Sequence, residues 1–127
     1  MDDRAAPRVV APMVVRYRLL AADEATDRWL AGDRDPRPFR EFVGRTEISV
    51  SGMLLPCPPG AFTLDARILV EITSAEAHPI RLVGRVRRLH PLIGPTAAGV
   101  EFVEIGDEDA DELAAFTLVH LQEGGAA

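Results

Sequence analysis

A short polar corner between two apolar segments carries the residues best suited to binding chemistry. Residues 45–55 predict a strand, a bend and a second strand, and Glu47, Ser49 and Gly52 lie at the bend. A carboxylate accepts hydrogen bonds and a hydroxyl both donates and accepts them. Glycine permits positive φ and lets a backbone or a ligand come close. A hairpin needs only the turn, so this excess of polar groups indicates a binding site, with plain turn chemistry as the alternative.

Two arginines near the start of the chain are a second candidate for binding. Arg4 and Arg8 lie four residues apart in a polar, proline-broken segment, residues 1–8, which we expect to form a flexible arm. A guanidinium binds phosphate or guanine through a planar pair of donors. The arm therefore carries groups able to fold over an anionic ligand. The alternative is that both arginines are solvated charges on a disordered terminus.

The composition excludes several classes of protein. All fourteen basic residues are arginines, yet the net charge is −6 and the aromatic fraction is 6%. General nucleic-acid and anionic-membrane binders draw affinity from a positive field, and single-strand binders need aromatic platforms. A small barrel that binds single-stranded nucleic acid is thus disfavoured, whereas a small anionic ligand is allowed. The lack of a signal-peptide pattern or a membrane-length apolar run predicts a cytoplasmic protein without direct membrane insertion.

No arrangement of residues predicts catalysis. His78, His90 and His120 are far apart without metal-ligand spacing, and Cys57 has no evident activating base. We therefore expect no enzyme activity, no metal and no cofactor.

Alternating apolar residues predict five or six short strands and one helix. One parity of the first strand holds Val9, Met13, Val15, Tyr17 and Leu19, and later strands bury Leu64, Ala66, Ile68, Val70 and Ile72, then Ile80, Leu82, Gly84 and Val86. Val43 and Ile48 are expected to be buried before the corner, and Arg16 and Arg18 to form a solvated strand face. The final strand contains Val100, Phe102 and Ile105. The acidic run after it opens a helix over 107–122 that buries Leu113, Ala114, Phe116 and Leu118.

The segment 21–40 differs in character and is interpreted as an insertion between the first two strands. Asp23 is a candidate cap for a short helix, and Gly32 is its candidate stop. Trp29 either anchors the insertion on the body or forms an exposed partner surface. Residues 1–127 together predict a single all-β domain, a six-stranded antiparallel barrel with a C-terminal α-helix.

The order of these features resembles the PilZ domain family. Arg4-Ala5-Ala6-Pro7-Arg8 fits the family's Arg-x-x-x-Arg before the first strand. Glu47-Ile48-Ser49-Val50-Ser51-Gly52 fits its (Asp/Asn)-x-Ser-x-x-Gly, with glutamate at the first position. Gly99-Val100-Glu101-Phe102 fits a later Gly-x-x-Phe. The resemblance covers the chain apart from the insertion.

The resemblance implies a non-enzymatic receptor for the bacterial second messenger cyclic di-GMP. The implied ligand-binding residues are Arg4, Arg8, Glu47, Ser49 and Gly52. It also implies a conformational change on binding and a protein partner in motility, pilus function, exopolysaccharide production or secretion. The alternative is a degenerate PilZ-like adaptor that binds no nucleotide and acts through protein–protein contacts. The extra methylene of Glu47 and the insertion with Trp29 motivate that alternative.

Overall fold

Six strands and two helices build the chain in the computed structural model, which describes residues 7–75, 78–90 and 96–123, with side chains through Leu121. The elements are β1 (Val9–Leu19), α1 (Asp27–Leu30), β2 (Arg40–Ile48), β3 (Gly52–Cys57), β4 (Arg67–Thr73), β5 (Ile80–His90), β6 (Thr96–Ile105) and α2 (Asp107–Glu123). The strands close an antiparallel barrel in the order β1-β2-β3-β6-β5-β4. The predicted fold, including the helix between the first two strands, is confirmed.

Period-2 alternation fills the barrel interior from every strand. In β1 every second side chain from Val9 to Tyr17 is buried, and β4 and β5 contribute Ile68, Val70, Ile72, Ile80, Leu82 and Val86 to the same core. Pro12 lies where β1 pairs with β2 alone, since β4 joins only from Val14 onward. Proline is tolerated there because no second neighbour needs its missing N–H.

Three residues that the strand patterns placed in the core are exposed, and each has a local reason. Leu19 is exposed at the end of β1, where the chain bends and Leu20 takes the buried position. Leu64 lies in a turn before β4 begins. Val43 faces solvent because it has the parity opposite to buried Ile48, and residues five apart in a strand lie on opposite faces.

Helix α2 packs one aliphatic and one aromatic side chain against the barrel interior. Leu113 and Phe116, three residues apart on one helix face, join the core cluster. Ala114 and Leu118 were expected to be buried, but both are exposed because they project from other sides of the helix. No helix within the described ranges is long and apolar enough to cross a membrane.

The insertion is fastened to the outside of the barrel by a second, smaller core. This cluster contains Leu20, Trp29, Leu69 and Val83, with Leu30 and Phe39 packed at its edge. The indole N–H of Trp29 donates to the Leu82 carbonyl at 3.1 Å. Trp29 is therefore the anchor of the insertion, and the alternative of an exposed partner surface is wrong.

The insertion helix starts later than expected. Thr26, not Asp23, occupies the N-cap position of α1, and its side chain makes no capping hydrogen bond. Its hydroxyl instead donates to Glu104 at 2.9 Å, which links the insertion to β6. Gly32 follows the helix with φ of +91°, as expected for a glycine that ends a helix.

Candidate functional site

The polar corner is a compact bend closed by its own hydrogen bonds. Strand β2 ends at Ile48 and β3 begins at Gly52, and the Ser49 N–H donates to the Gly52 carbonyl at 2.8 Å. The Ser51 N–H donates to the Ser49 hydroxyl oxygen at 3.2 Å, and the two serine hydroxyls lie 3.2 Å apart. Ser49 is buried. Its hydroxyl is thus part of the bend and shapes the surface that the corner presents.

Gly52 is needed because β6 passes directly against it. A Cβ at this position would lie 2.5 Å from the Val100 carbonyl oxygen, closer than any real contact of that kind. The Phe102 N–H also donates to the Ser51 carbonyl at 2.9 Å. Positive φ, the other property expected of this glycine, is not used: Gly52 is not among the described glycines with positive φ. Close packing on β6 therefore fixes where the corner sits.

Pairing of β1 with β2 brings one of the early arginines to the corner. Val9 pairs with Ile48 and Val10 with Glu47, so Arg8 precedes the first paired residue of β1. A terminal guanidinium nitrogen of Arg8 lies 3.9 Å from the Glu47 carboxylate, with side chains 69% and 47% exposed. So exposed a pair adds little stability. The pair matters because of its position: it brings Arg8 of the first predicted motif next to Glu47 of the second.

Arg4, the other predicted arginine, lies outside the described residues. Arg45 is a further candidate at the corner that the sequence motifs did not assign. It is exposed on β2 and has the same parity as Glu47. Thr46, which lies between the two, and Ile48, which follows Glu47, are buried. Residues two apart in a strand share a face. Strand parity alone was therefore enough to place Arg45 beside the predicted ligand residues.

Comparison with known proteins identifies the fold family. The PilZ domain family matches residues 2–118. The chain is a member of the PilZ domain family. PilZ domains are generally non-enzymatic modules that bind cyclic di-GMP or act as adaptors. No curated protein sequence matches the chain.

Two solved structures share the PilZ fold at low sequence identity. The Bacillus subtilis inhibitor of motility MotI/DgrA aligns with a TM-score of 0.66 and 17% identity, over 97% of this chain but 53% of its own. This chain therefore spans about half the length of that protein. A Xanthomonas campestris protein, described as a tetrameric PilZ domain self-assembled through a helical bundle, aligns with a TM-score of 0.65 and 13% identity, over 97% of this chain and 92% of its own.

Arg16 and Arg18 of this PilZ domain do not form the solvated face that was expected. The side chain of Arg18 is only 11% exposed and binds Glu24 at 2.5 Å and Asp35 at 2.6 Å, both from the insertion. Arg37 reaches the same two carboxylates, at 2.6 and 3.2 Å. Arg16 is paired with Glu71 of β4 at 2.8 Å. The prediction failed for Arg18 because residues 21–40 cover its side chain.

These contacts lower the pKa of both insertion carboxyls. The hydrogen bond from Arg18 is the main cause that lowers the pKa of Glu24 to about 2. Burial alone would raise the pKa of Asp35, but hydrogen bonds from the Arg37 backbone and the Arg18 guanidinium outweigh it and lower this pKa to about 2. Both groups are therefore ionised at neutral pH and hold the insertion by charge-assisted hydrogen bonds.

The remaining candidate groups are two arginines of β5, the Cys57 thiol and possible metal ligands. Arg81 pairs with Glu71 at 3.0 Å and Arg87 with Asp65 at 3.2 Å, so these two arginines of β5 are held in ion pairs. Burial is the main cause that raises the pKa of the Cys57 thiol, which disfavours a reactive thiolate. Within the described ranges, no group of three metal-ligating side chains is found.

Proposed function

We propose that this PilZ domain is a cytoplasmic, non-enzymatic receptor for cyclic di-GMP that binds at the polar corner. The contact between Arg8 and Glu47 carries the proposal, because it joins the arginine motif to the second motif on one exposed face. The family match supports the same ligand, since PilZ domains generally bind this nucleotide or serve as adaptors.

The chemistry of the corner suits a ligand with two phosphates and two guanines. Arg8 is largely exposed and offers planar donors to a phosphate or to the O6 and N7 atoms of guanine. The Glu47 carboxylate is an acceptor for the N1–H and N2–H₂ donors of guanine. Arg45 adds a second exposed guanidinium on the same strand face. We propose that Ser49 and Gly52 hold the corner in the shape that the ligand meets, and that Arg4 joins Arg8 on the ligand.

Calorimetric titration with cyclic di-GMP tests this proposal. We expect micromolar binding by the native chain and a loss of about tenfold or more in Arg8→Ala, the usual effect of removing a charge-assisted hydrogen bond. Arg28→Ala is the matched control, because Arg28 is an exposed arginine on the insertion, away from the corner. Absence of heat at high ligand concentration, or equal affinity in the two variants, would contradict the proposal.

We also propose that the ligand orders the chain around Arg8, and a proteolysis experiment tests this conformational change. Trypsin cleaves after arginine, so the bond between Arg8 and Val9 is a substrate at the edge of the proposed site. Cyclic di-GMP bound over Arg8 should slow this cleavage, while cleavage after Arg28 should be unaffected. Equal rates with and without saturating ligand at both sites would argue against ordering of this segment.

A nucleotide-independent adaptor is the second candidate, and one contact favours it. Glu47 reaches far enough to approach Arg8 in the absence of ligand, so the ligand must compete with this carboxylate for the guanidinium. A native chain that binds no cyclic di-GMP but retains a protein partner would support this candidate. Under either candidate we propose that the regulated process is motility, pilus function or exopolysaccharide production. The fold shared with an inhibitor of motility motivates the first of these.

A further inference from the structure

A second arginine-lined cavity lies between the insertion and the outer face of β1 and β5. Its volume is about 490 Å³, and its charged lining consists of four arginines and one carboxylate: Arg16, Arg34, Arg37, Arg81 and Asp35. We call it the insertion pocket. It is distinct from the polar corner, since Arg16 and Arg8 lie eight positions apart on an extended strand that rises about 3.3 Å per residue.

The back of the insertion pocket is a stack in which two aromatic rings lie between two guanidiniums. The Arg81 guanidinium lies 4.1 Å from the centre of the Trp29 ring, Trp29 stacks on Phe39 at 5.3 Å, and the Arg16 guanidinium lies 4.6 Å from the Phe39 centre. Arg16 and Arg81 both bind the same carboxylate, Glu71, at 2.8 and 3.0 Å. Each outer aromatic face is therefore covered by a guanidinium. A ligand in the pocket would therefore contact the N–H donors at the edges of the guanidinium groups. It would not stack on an open aromatic ring.

Positive charge exceeds negative charge around this pocket. Glu71 is shared between two arginines, and Glu24 and Asp35 are both shared between Arg18 and Arg37. Asp109 approaches only the backbone N–H of Arg81. With Arg34, five guanidiniums lie around the pocket. They face four carboxylates, those of Glu24, Asp35, Glu71 and Asp109, on a chain whose net charge is −6.

Arg34 stands out among the lining residues. It is exposed at the pocket wall, and its side chain has no hydrogen bond or ion pair within the part of the chain that the structure describes. Arg16 and Arg37 are also 40% and 56% exposed, so each can present further N–H donors beyond those used for their carboxylates. One free and two accessible guanidiniums converge on a concave space.

We propose that the insertion pocket binds a small phosphate-bearing molecule. Guanidinium edges match the geometry of phosphate oxygens, and three or four of them supply the charge that a dianion requires. The volume falls within the range of small-molecule sites, roughly 300–1,000 Å³. A concave set of donors suits a compact anion better than an extended acidic peptide, which would spread its charges over a flatter surface.

Intrinsic fluorescence gives a direct test, because Trp29 is the only tryptophan and lies in the pocket wall. The native chain is titrated with pyrophosphate and, separately, with GMP, at ionic strength held constant with sodium chloride. We expect a saturable change in emission with at least one of them. Binding of pyrophosphate alone would indicate an inorganic phosphate group, and binding of GMP would indicate a phosphate ester.

Arginine variants decide whether the insertion pocket is responsible for the change in Trp29 emission. Arg34→Ala should weaken binding about tenfold or more, since it removes a charge-assisted donor without breaking a described contact. Arg28→Ala is the matched control on the same insertion and should bind like the native chain. Arg8→Ala should also bind pyrophosphate or GMP normally, so the outcome here is separable from that at the polar corner.

Several results would overturn this proposal. One is no saturable change with either probe, and another is equal affinity in Arg34→Ala and Arg28→Ala. Binding of a glutamate-rich peptide that depends on Arg34, without binding of either phosphate probe, would assign the pocket to an acidic protein partner instead. By contrast, loss of cyclic di-GMP binding in Arg34→Ala but not in Arg8→Ala would support phosphate binding in the insertion pocket and would refute the assignment of the receptor site to the polar corner.

Discussion

Replacing Gly52 by alanine is the substitution whose effect can be worked out most directly from the structure. The new Cβ would begin 2.5 Å from the Val100 carbonyl oxygen, whereas real Cβ atoms essentially never come closer than 3.0 Å, so the two strands must separate by at least 0.5 Å. The obstacle is backbone in the β3–β6 ladder, where Gly52 pairs with Glu101, and it has no rotamer to change. Overpacking of this kind typically costs about 1–3 kcal/mol.

Urea unfolding followed by far-ultraviolet circular dichroism measures this cost. We expect Gly52→Ala to lose about 1–3 kcal/mol in the free energy of unfolding, with an unchanged dependence on urea. Gly106→Ala is the control, because a Cβ there would have no atom within 4 Å and Gly106 does not have positive φ. That variant changes a helix N-cap from glycine to alanine, which we expect to cost less than about 1 kcal/mol.

The same substitution links the fold to the proposed site. Movement of β3 away from β6 shifts the bend that contains Ser49, so cyclic di-GMP should bind more weakly to Gly52→Ala even where the protein remains folded. The reasoning is refuted if Gly52→Ala and Gly106→Ala unfold at the same urea concentration. It is also refuted if Gly52→Ala is destabilised as expected but binds the nucleotide with native affinity, because the corner would then not depend on its packing against β6.

Three further predictions address the anchor, the ion pairs and the family substitution. Trp29→Ala should lose about 3–5 kcal/mol in unfolding free energy, against about 0.5 kcal/mol or less for the exposed control Leu64→Ala; similar losses would show that Trp29 is not an anchor. The pKa of Glu24 is lowered from 4.5 to about 2 in the folded state, so its stabilisation is complete above pH 4.5 and is lost as the pH falls towards 2. Thermal unfolding should therefore depend less on pH over that range in Glu24→Gln, and an unchanged dependence would contradict this. Glu47→Asp should bind cyclic di-GMP about tenfold more tightly than the native chain, by calorimetry, with Glu41→Asp as the control; weaker binding would mean that the longer side chain suits the ligand.

The barrel was predictable because strand periodicity is a local property of the sequence. Alternation in β1 and β5 placed their inward side chains correctly from Val9 to Tyr17 and from Ile80 to Val86. The pairing of β1 with β2 places Arg8 near Glu47. Val43 was expected to be buried, but its parity is opposite to that of buried Ile48, so the same periodicity places it in solvent. The errors at Leu19 and Leu64 lie where strands end, because a bend changes the face that the next residue occupies.

The face covered by the insertion was not predictable in the same way. Arg18 binds carboxylates six and seventeen residues away in an irregular segment, and no periodicity relates these positions. The reason for Gly52 was also invisible, since its close neighbour Val100 lies far along the chain and is brought there by the β3–β6 register. Local patterns specified the strands, whereas contacts between irregular segments and the barrel required the three-dimensional structure.

The two arginine-bearing surfaces should respond differently to salt, because their guanidiniums are held differently. Arg8 is mostly exposed and its distance from Glu47 is long, so this interaction is readily screened by dissolved ions. Arg18 is nearly buried between two carboxylates, and Arg81 is covered by Trp29, so both are shielded from the solvent. Raising the salt concentration should therefore weaken binding at the polar corner while the insertion stays attached to the barrel. Loss of Trp29 anchoring at the same salt concentration as loss of nucleotide binding would show that the two surfaces are coupled.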